Sequence, residues 1–222
     1  MSHKKSFLKN QIVIKDKNCI FYTSPLLTKF KFIHGFLTSK SSDLEQNYIK
    51  DYFSKDNQNC IVKQIHSDKI IFGTDTYNQL NVNADGIISD KSNQSLWIYT
   101  ADCMPILIAD KRVRRVASIH CGRIGLEKNI INKSINALEN LGSLRRNLIV
   151  AIGPSISESN YLLDQKSLNY FYKKLNMKEI SNPAKKKDLI PLDIKKHAFN
   201  QLKNSEVIEE NIDISNLCTF DL

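Results

Sequence analysis

The chain has 222 residues, 41% of them hydrophobic, enough for one sizeable buried core. Its 32 Lys and Arg against 23 Asp and Glu leave a net charge of +9, but the two signs are interspersed, and charge alone singles out no nucleic-acid partner. No stretch has the length and apolarity of a signal peptide or a bilayer span, and five cysteines, odd in number and without a CxxC pair, argue against a disulfide framework or a four-cysteine zinc knuckle. The expectation is a monomeric cytoplasmic protein with reduced thiols that binds neither membrane nor nucleic acid. The compact basic run Lys185, Lys186 and Lys187 reads as a solvated loop.

From the N-terminus, "CIFYT" (19–23) and "KFIHGFLT" (31–38) read as strands from their aromatic and β-branched content. "SKSSD" then starts a helix over 44–53 with Leu44, Tyr48 and Tyr52 on one face. In "CIVKQIHSDKIIFG" (60–73), Ile61, Lys63, Ile65 and Ser67 alternate with Val62, Gln64 and His66, which predicts one strand. "ADGIISD" (84–90), "LWIYT" (96–100), "PILIAD" (105–110) and "RRVASIHCG" (114–122) supply further strands, with Trp97 and Tyr99 packed into a core strand. "GLEKNIINKSINALENLG" (125–142) carries Leu126, Ile130, Ser134, Leu138 and Leu141 at helical spacing, and Gly142 stands where a left-handed cap belongs. A strand over 147–156 and helices around 165–175 and 194–202 complete the pattern, the last leaving His197 exposed among lysines. Such mixing implies a single-domain layered α/β or α+β fold over 1–222, with a mixed β-sheet core and flanking helices.

His66, Cys103 and His120 each lie in or at the end of a predicted strand. Neighbouring strands of one sheet can bring them together, and two imidazoles with a thiolate form a three-ligand set that leaves zinc an open fourth position. Taken one at a time, spacing favours a core cysteine and hydrogen-bonded histidines, and it is their shared setting at strand ends that favours a metal. His34 in "IHGF" reads as bonded to backbone. Asp85 and Asp102 are candidates for hydrogen bonds behind the ligands or for general-base work, and equally for turn formers.

"KQIHSD", "ADGIISD", "TADCMPILIAD", "SIHCGRIGL", "AIGPSI" and the "CT" of Cys218 and Thr219, in this order, resemble the motif series of the YfiH-like or laccase-domain proteins. That resemblance implies metal ligands at His66, Cys103 and His120, with zinc as the metal and copper as an alternative. It implies phosphorolysis of adenosine, inosine, guanosine and methylthioadenosine, and deamination of adenosine, so that purine nucleoside and phosphate are the expected partners. Catalytic roles fall on Cys103, His120 and Asp85, and substrate contacts on Gln64 and Arg123; Tyr161 matches a family tyrosine and reads as core. The family's "HAGWRG" is here "HCGRIG", with Cys121, Arg123 and Ile124 at the changed positions. Ser39 and Lys40 stand in place of an early "TRxGG", Ser155 in place of the cysteine of "GPCIG", and the arginine-rich "FFSYRR" has no counterpart after "CTFDL". These departures imply retained metal and weakened phosphorolysis. Three rivals stand beside this reading: a metal-free cysteine hydrolase using Cys103 and His120, an amidohydrolase editing a peptidoglycan precursor, and a binding protein without turnover. A multicopper laccase is poorly served by five histidines.

Overall fold

A computed structural model describes residues 11–14, 19–38, 53, 57–77, 81–177 and 189–221. Strands β1 (Gln11–Ile14) and β2 (Cys19–Tyr22) pair antiparallel. The Ser24-Pro25 step then starts α1 (Pro25–Lys29), because the Ser24 hydroxyl accepts from Leu27 N at 3.2 Å and proline costs nothing at the first helical position. β3 (Phe36–Leu37) closes this small sheet against β2. Next come β4 (Gln58–Ile61), β5 (Ile70–Phe72), β6 (Gly86–Ile88) and β7 (Gln94–Trp97), with β4 and β7 parallel in a separate pair.

The core strands are β8 (Met104–Asp110) and β9 (Val116–Cys121), antiparallel with Met104 opposite Cys121 and Pro105 opposite His120. Two helices follow, α2 (Arg123–Glu127) and α3 (Ile130–Asn140), and then β10 (Leu148–Ile152) and β11 (Leu162–Leu163). Helix α4 (Gln165–Lys174), β12 (Ile190–Pro191), α5 (Ile194–Asn204) and β13 (Ile212–Ile214) complete the chain. Asp164 and Asp193 cap α4 and α5, accepting from Ser167 N at 2.8 Å and Lys196 N at 2.9 Å.

The main sheet has strand order β13-β10-β8-β9-β6-β5, mixed in direction because β13 and β5 pair parallel with their neighbours. Strand alternation gives it two apolar faces. Ile106 and Ile108 on β8 with Leu148, Val150 and Ile152 on β10 pack against Ile130, Ile131, Ile135 and Leu138 of α3 and Ala198 and Leu202 of α5. The alternate residues, Ala109, Ile149 and Ala151, meet Leu27 and Phe36 from the α1 side. The expected single domain with a mixed sheet and flanking helices is therefore the observed architecture, and the sheet is the middle of three layers.

Four expectations need correction. The predicted strand over 60–73 is two strands, because residues 65–67 turn their N–H groups onto Asp85 and His66 adopts a left-handed φ of 55°. The helix over 125–142 breaks at Asn129, whose φ of 60° suits an asparagine, although Leu126 and Ile130 remain buried on either side. His197 is buried against Phe171 and Tyr172, since α5 turns that face inward. Tyr99 is 62% exposed, and Trp97 is half-buried with Nε1 donating to Asn59 at 2.9 Å.

Gly142 caps α3 as expected, at φ 90°, with Ser143 N on Leu138 O and Gly142 N on Glu139 O in a Schellman arrangement. The helix expected over 44–53, apart from Phe53, and Lys185 to Lys187 lie outside the described residues, as do Ser39 and Lys40. Among the described residues, no helix is long and apolar enough to cross a membrane.

Candidate metal centre

The register of β8 and β9 builds half of the site. With Met104 opposite Cys121, Cys103 falls beside Gly122 at the open end of the pair, and His120 projects one residue before. A Cβ on Gly122 would lie 2.5 Å from Cys103 Sγ and 3.9 Å from His66 Cδ2. Glycine is thus required by close approach, and its bare backbone forms the cradle in which the sulfur sits.

Asp85 assembles the rest. Its carboxylate, fully buried, accepts from Ile65 N at 3.3 Å, His66 N at 3.1 Å, Ser67 N at 2.6 Å and Ser67 Oγ at 2.6 Å. It also meets His120 Nδ1 at 2.8 Å, while Asp85 O accepts from His120 N at 2.8 Å. Burial pushes the Asp85 carboxyl up, but the hydrogen bonds from Ser67 and His120 outweigh it and hold the group below the usual carboxylate range. An ionised Asp85 makes Nδ1 of His120 a donor, which leaves Nε2 as the ring's lone-pair nitrogen. The same carboxylate bends the 65–67 loop so that His66 meets His120, ring centroids 4.8 Å apart at 81°.

One donor atom each from His66, Cys103 and His120 lies within 4.8 Å of the others, and Cys103 Sγ is 3.9 Å from His66 Nε2. Tetrahedral zinc, with Zn–S about 2.3 Å and Zn–N about 2.0–2.1 Å, spaces its donors by roughly 3.3–3.6 Å. The donor set therefore fits such an ion after small side-chain rotations. Burial and the charges of Asp102 and Asp85 push the Cys103 thiol up. A bare Cys103 is accordingly a protonated thiol at neutral pH, whereas a divalent cation favours the thiolate.

The other predicted residues fall around this centre. Gln64 gives its amide to the Tyr99 backbone, Nε2 to Tyr99 O at 2.5 Å and Oε1 from Tyr99 N at 2.7 Å, so it positions a loop. Arg123, first in α2, pairs with Glu127 and hydrogen bonds with Tyr161, whose hydroxyl is pushed up by burial. Tyr161 is half-buried at the rim of the core. Asp102 accepts from Thr219 Oγ1 at 3.0 Å, and Asp102 O accepts from Ile156 N at 3.0 Å, which ties the C-terminal segment to the residue before Cys103. Cys121 points into the core as a buried thiol pushed up by desolvation. His34 accepts from Ser24 N at 2.8 Å and lies 2.8 Å from Phe32 O through Nδ1, which makes it a backbone-bonded residue as expected. Sequence reasoning missed Gly122, Ser67 and Thr219; Gly122, two residues after His120, carried the only signal.

The family described as multi-copper polyphenol oxidoreductase laccase matches residues 43–222. A purine nucleoside phosphorylase of Clostridium acetobutylicum is 31% identical over 185 residues, covering 82% of this chain and 73% of its own. One from Synechocystis is 34% identical over 137 residues, 59% of this chain and 52% of its own; the chain spans about half the length of the first curated relatives it matches. Among solved structures, YlmD of Geobacillus stearothermophilus has a TM-score of 0.67 at 22% identity, covering 78% of this chain and 68% of its own. YfiH of Bacillus licheniformis has a TM-score of 0.64 at 19% identity, with 94% and 86% covered. The two structures share the fold, and the match over 43–222 identifies this chain as a member of the laccase-domain, YfiH-like family.

Proposed function

We propose that the chain is a zinc-dependent enzyme acting on purine nucleosides, with phosphorolysis as its main reaction and deamination of adenosine as a second. The observation that carries this reading is the convergence of His66, Cys103 and His120 on one point, with Asp85 fixing two of them, in a chain whose relatives are named purine nucleoside phosphorylases. Zinc bound there supplies a Lewis acid with a position open to water or substrate. Exposed His66 and buried His120 would hold the ion together with Cys103. Asp85 acts by positioning: it keeps the His120 tautomer and the His66 loop, and its oxygens are engaged with protein donors. Arg123 and Tyr161 offer a guanidinium and a hydroxyl near the thiol for a phosphate or ribose. The raised Cys103 pKa favours this reading over a metal-free cysteine nucleophile, which needs a lowered one.

The test is release of hypoxanthine from inosine by purified protein, with and without phosphate, before and after chelation. Phosphate-dependent release that chelation stops and zinc restores is expected. Hydrolysis that survives chelation but not thiol alkylation would favour the cysteine hydrolase. Nucleoside-induced thermal stabilisation without turnover would favour a binding protein.

A further inference from the structure

The fold gathers cations that the sequence scatters. At the end of the main sheet opposite the metal centre, the β8–β9 connection meets the residues after α1 and those before β10. Arg114 donates to Phe30 O at 2.8 Å and Lys31 O at 3.1 Å, Lys111 N donates to Asn147 O at 3.1 Å, and Leu144 N donates to Asp110 at 3.3 Å. Lys29, Lys31, Arg112, Arg114 and Arg146 are exposed on these three segments. Among the described residues, none of the five has a carboxylate within ion-pair distance. Asp110, at the end of β8, is fully buried and accepts from Arg112 N and Val113 N. Between the cations protrude three aliphatic side chains, Ile33 at 78% exposure, Val113 at 48% and Leu144 at 45%.

We propose that this end is a docking face for an anionic phospholipid surface. Unpaired cations draw the protein to such a surface, and protruding aliphatics enter the headgroup boundary. Single-stranded nucleic acid needs free aromatic faces for base stacking. Here the rings are taken: Arg114 lies 3.6 Å from the Phe32 centroid, and Lys29 and Lys111 sit over Phe30 at 5.8 Å and 5.4 Å. What remains exposed is aliphatic. The seven residues of β8, at about 3.3 Å each, separate this face from Cys103, so a docked molecule keeps its metal centre open to solution.

Co-sedimentation of the full chain with phosphatidylcholine vesicles, with and without phosphatidylglycerol, tests the proposal at low and high salt. Salt-sensitive binding to the phosphatidylglycerol vesicles alone is expected. It should fall about tenfold or more in Arg112→Glu/Arg146→Glu, several-fold in Val113→Asp, and little in Lys166→Glu/Lys196→Glu, which makes the same charge change on exposed helix starts elsewhere. Unchanged melting temperatures would show that the variants fold. Failure of the wild type to bind, equal losses in both double variants, or patch-dependent binding of a single-stranded RNA oligonucleotide without vesicle binding would overturn it. None of these outcomes depends on nucleoside turnover.

Discussion

Asp85 holds five protein donors on one buried carboxylate, and no neutral isostere can do so. Asn at this position offers one acceptor oxygen and places an NH2 group against N–H donors from the 65–67 loop or His120. We therefore expect Asp85→Asn to bind zinc about 10–100-fold more weakly than wild type, as measured by competition with a chromogenic chelator. Unchanged affinity would remove Asp85 from the positioning role. The convergence of His66, Cys103 and His120 could be anticipated from the chain, because two imidazoles and a thiol sit at strand ends within a recognisable motif series. The backbone clamp made by Gln64 was not legible, because an amide beside the 65–67 loop is as well suited to hold backbone as to meet substrate, and the clamp partner, Tyr99, is remote in sequence. Gly122 illustrates the converse, since a missing side chain becomes informative only once the sulfur that needs its space is located.

At the scale of elements, periodicity found α3, α4, α5, β8, β9 and β10, whose apolar faces are continuous and buried. It failed where a long-range polar contact overrides a local pattern, as in the stretch after β4, where alternation continues through residues that Asp85 has bent out of extended conformation. It also missed α1 and β13, too short for any period to show. Helix α3 packs Ile135 between the sheet and α5, fully buried. Ile135→Ala should cost about 2–5 kcal/mol of folding stability in urea denaturation, whereas Asn136→Ala, on the exposed face, should cost far less. A small loss at Ile135 would mean that the helix layer contributes little to the core.

For the whole molecule, two desolvated histidines, half-buried His34 and buried His197, set the acid limit. His34 and His197 are both pushed down, chiefly by burial. The unfolded chain protonates them near about 6.5, while the folded protein resists, so stability is full above that pH and is lost as pH falls below it. Carboxylates held low, such as Asp85, act in the same direction only nearer about pH 4. Urea midpoints should thus drop between pH 7.5 and 5.5, and His197→Phe should flatten that drop; a wild-type midpoint constant over this range would contradict the burial argument. The architecture itself was legible as a mixed sheet with flanking helices, but the gathering of loops at each sheet end was not, because it depends on which strands become neighbours. One such gathering brings His66, Cys103 and His120 together. Metal analysis of purified wild type beside Cys103→Ala should find about one zinc per chain in the first and little in the second. Equal metal in both would mean that His66, Cys103 and His120 do not share an ion.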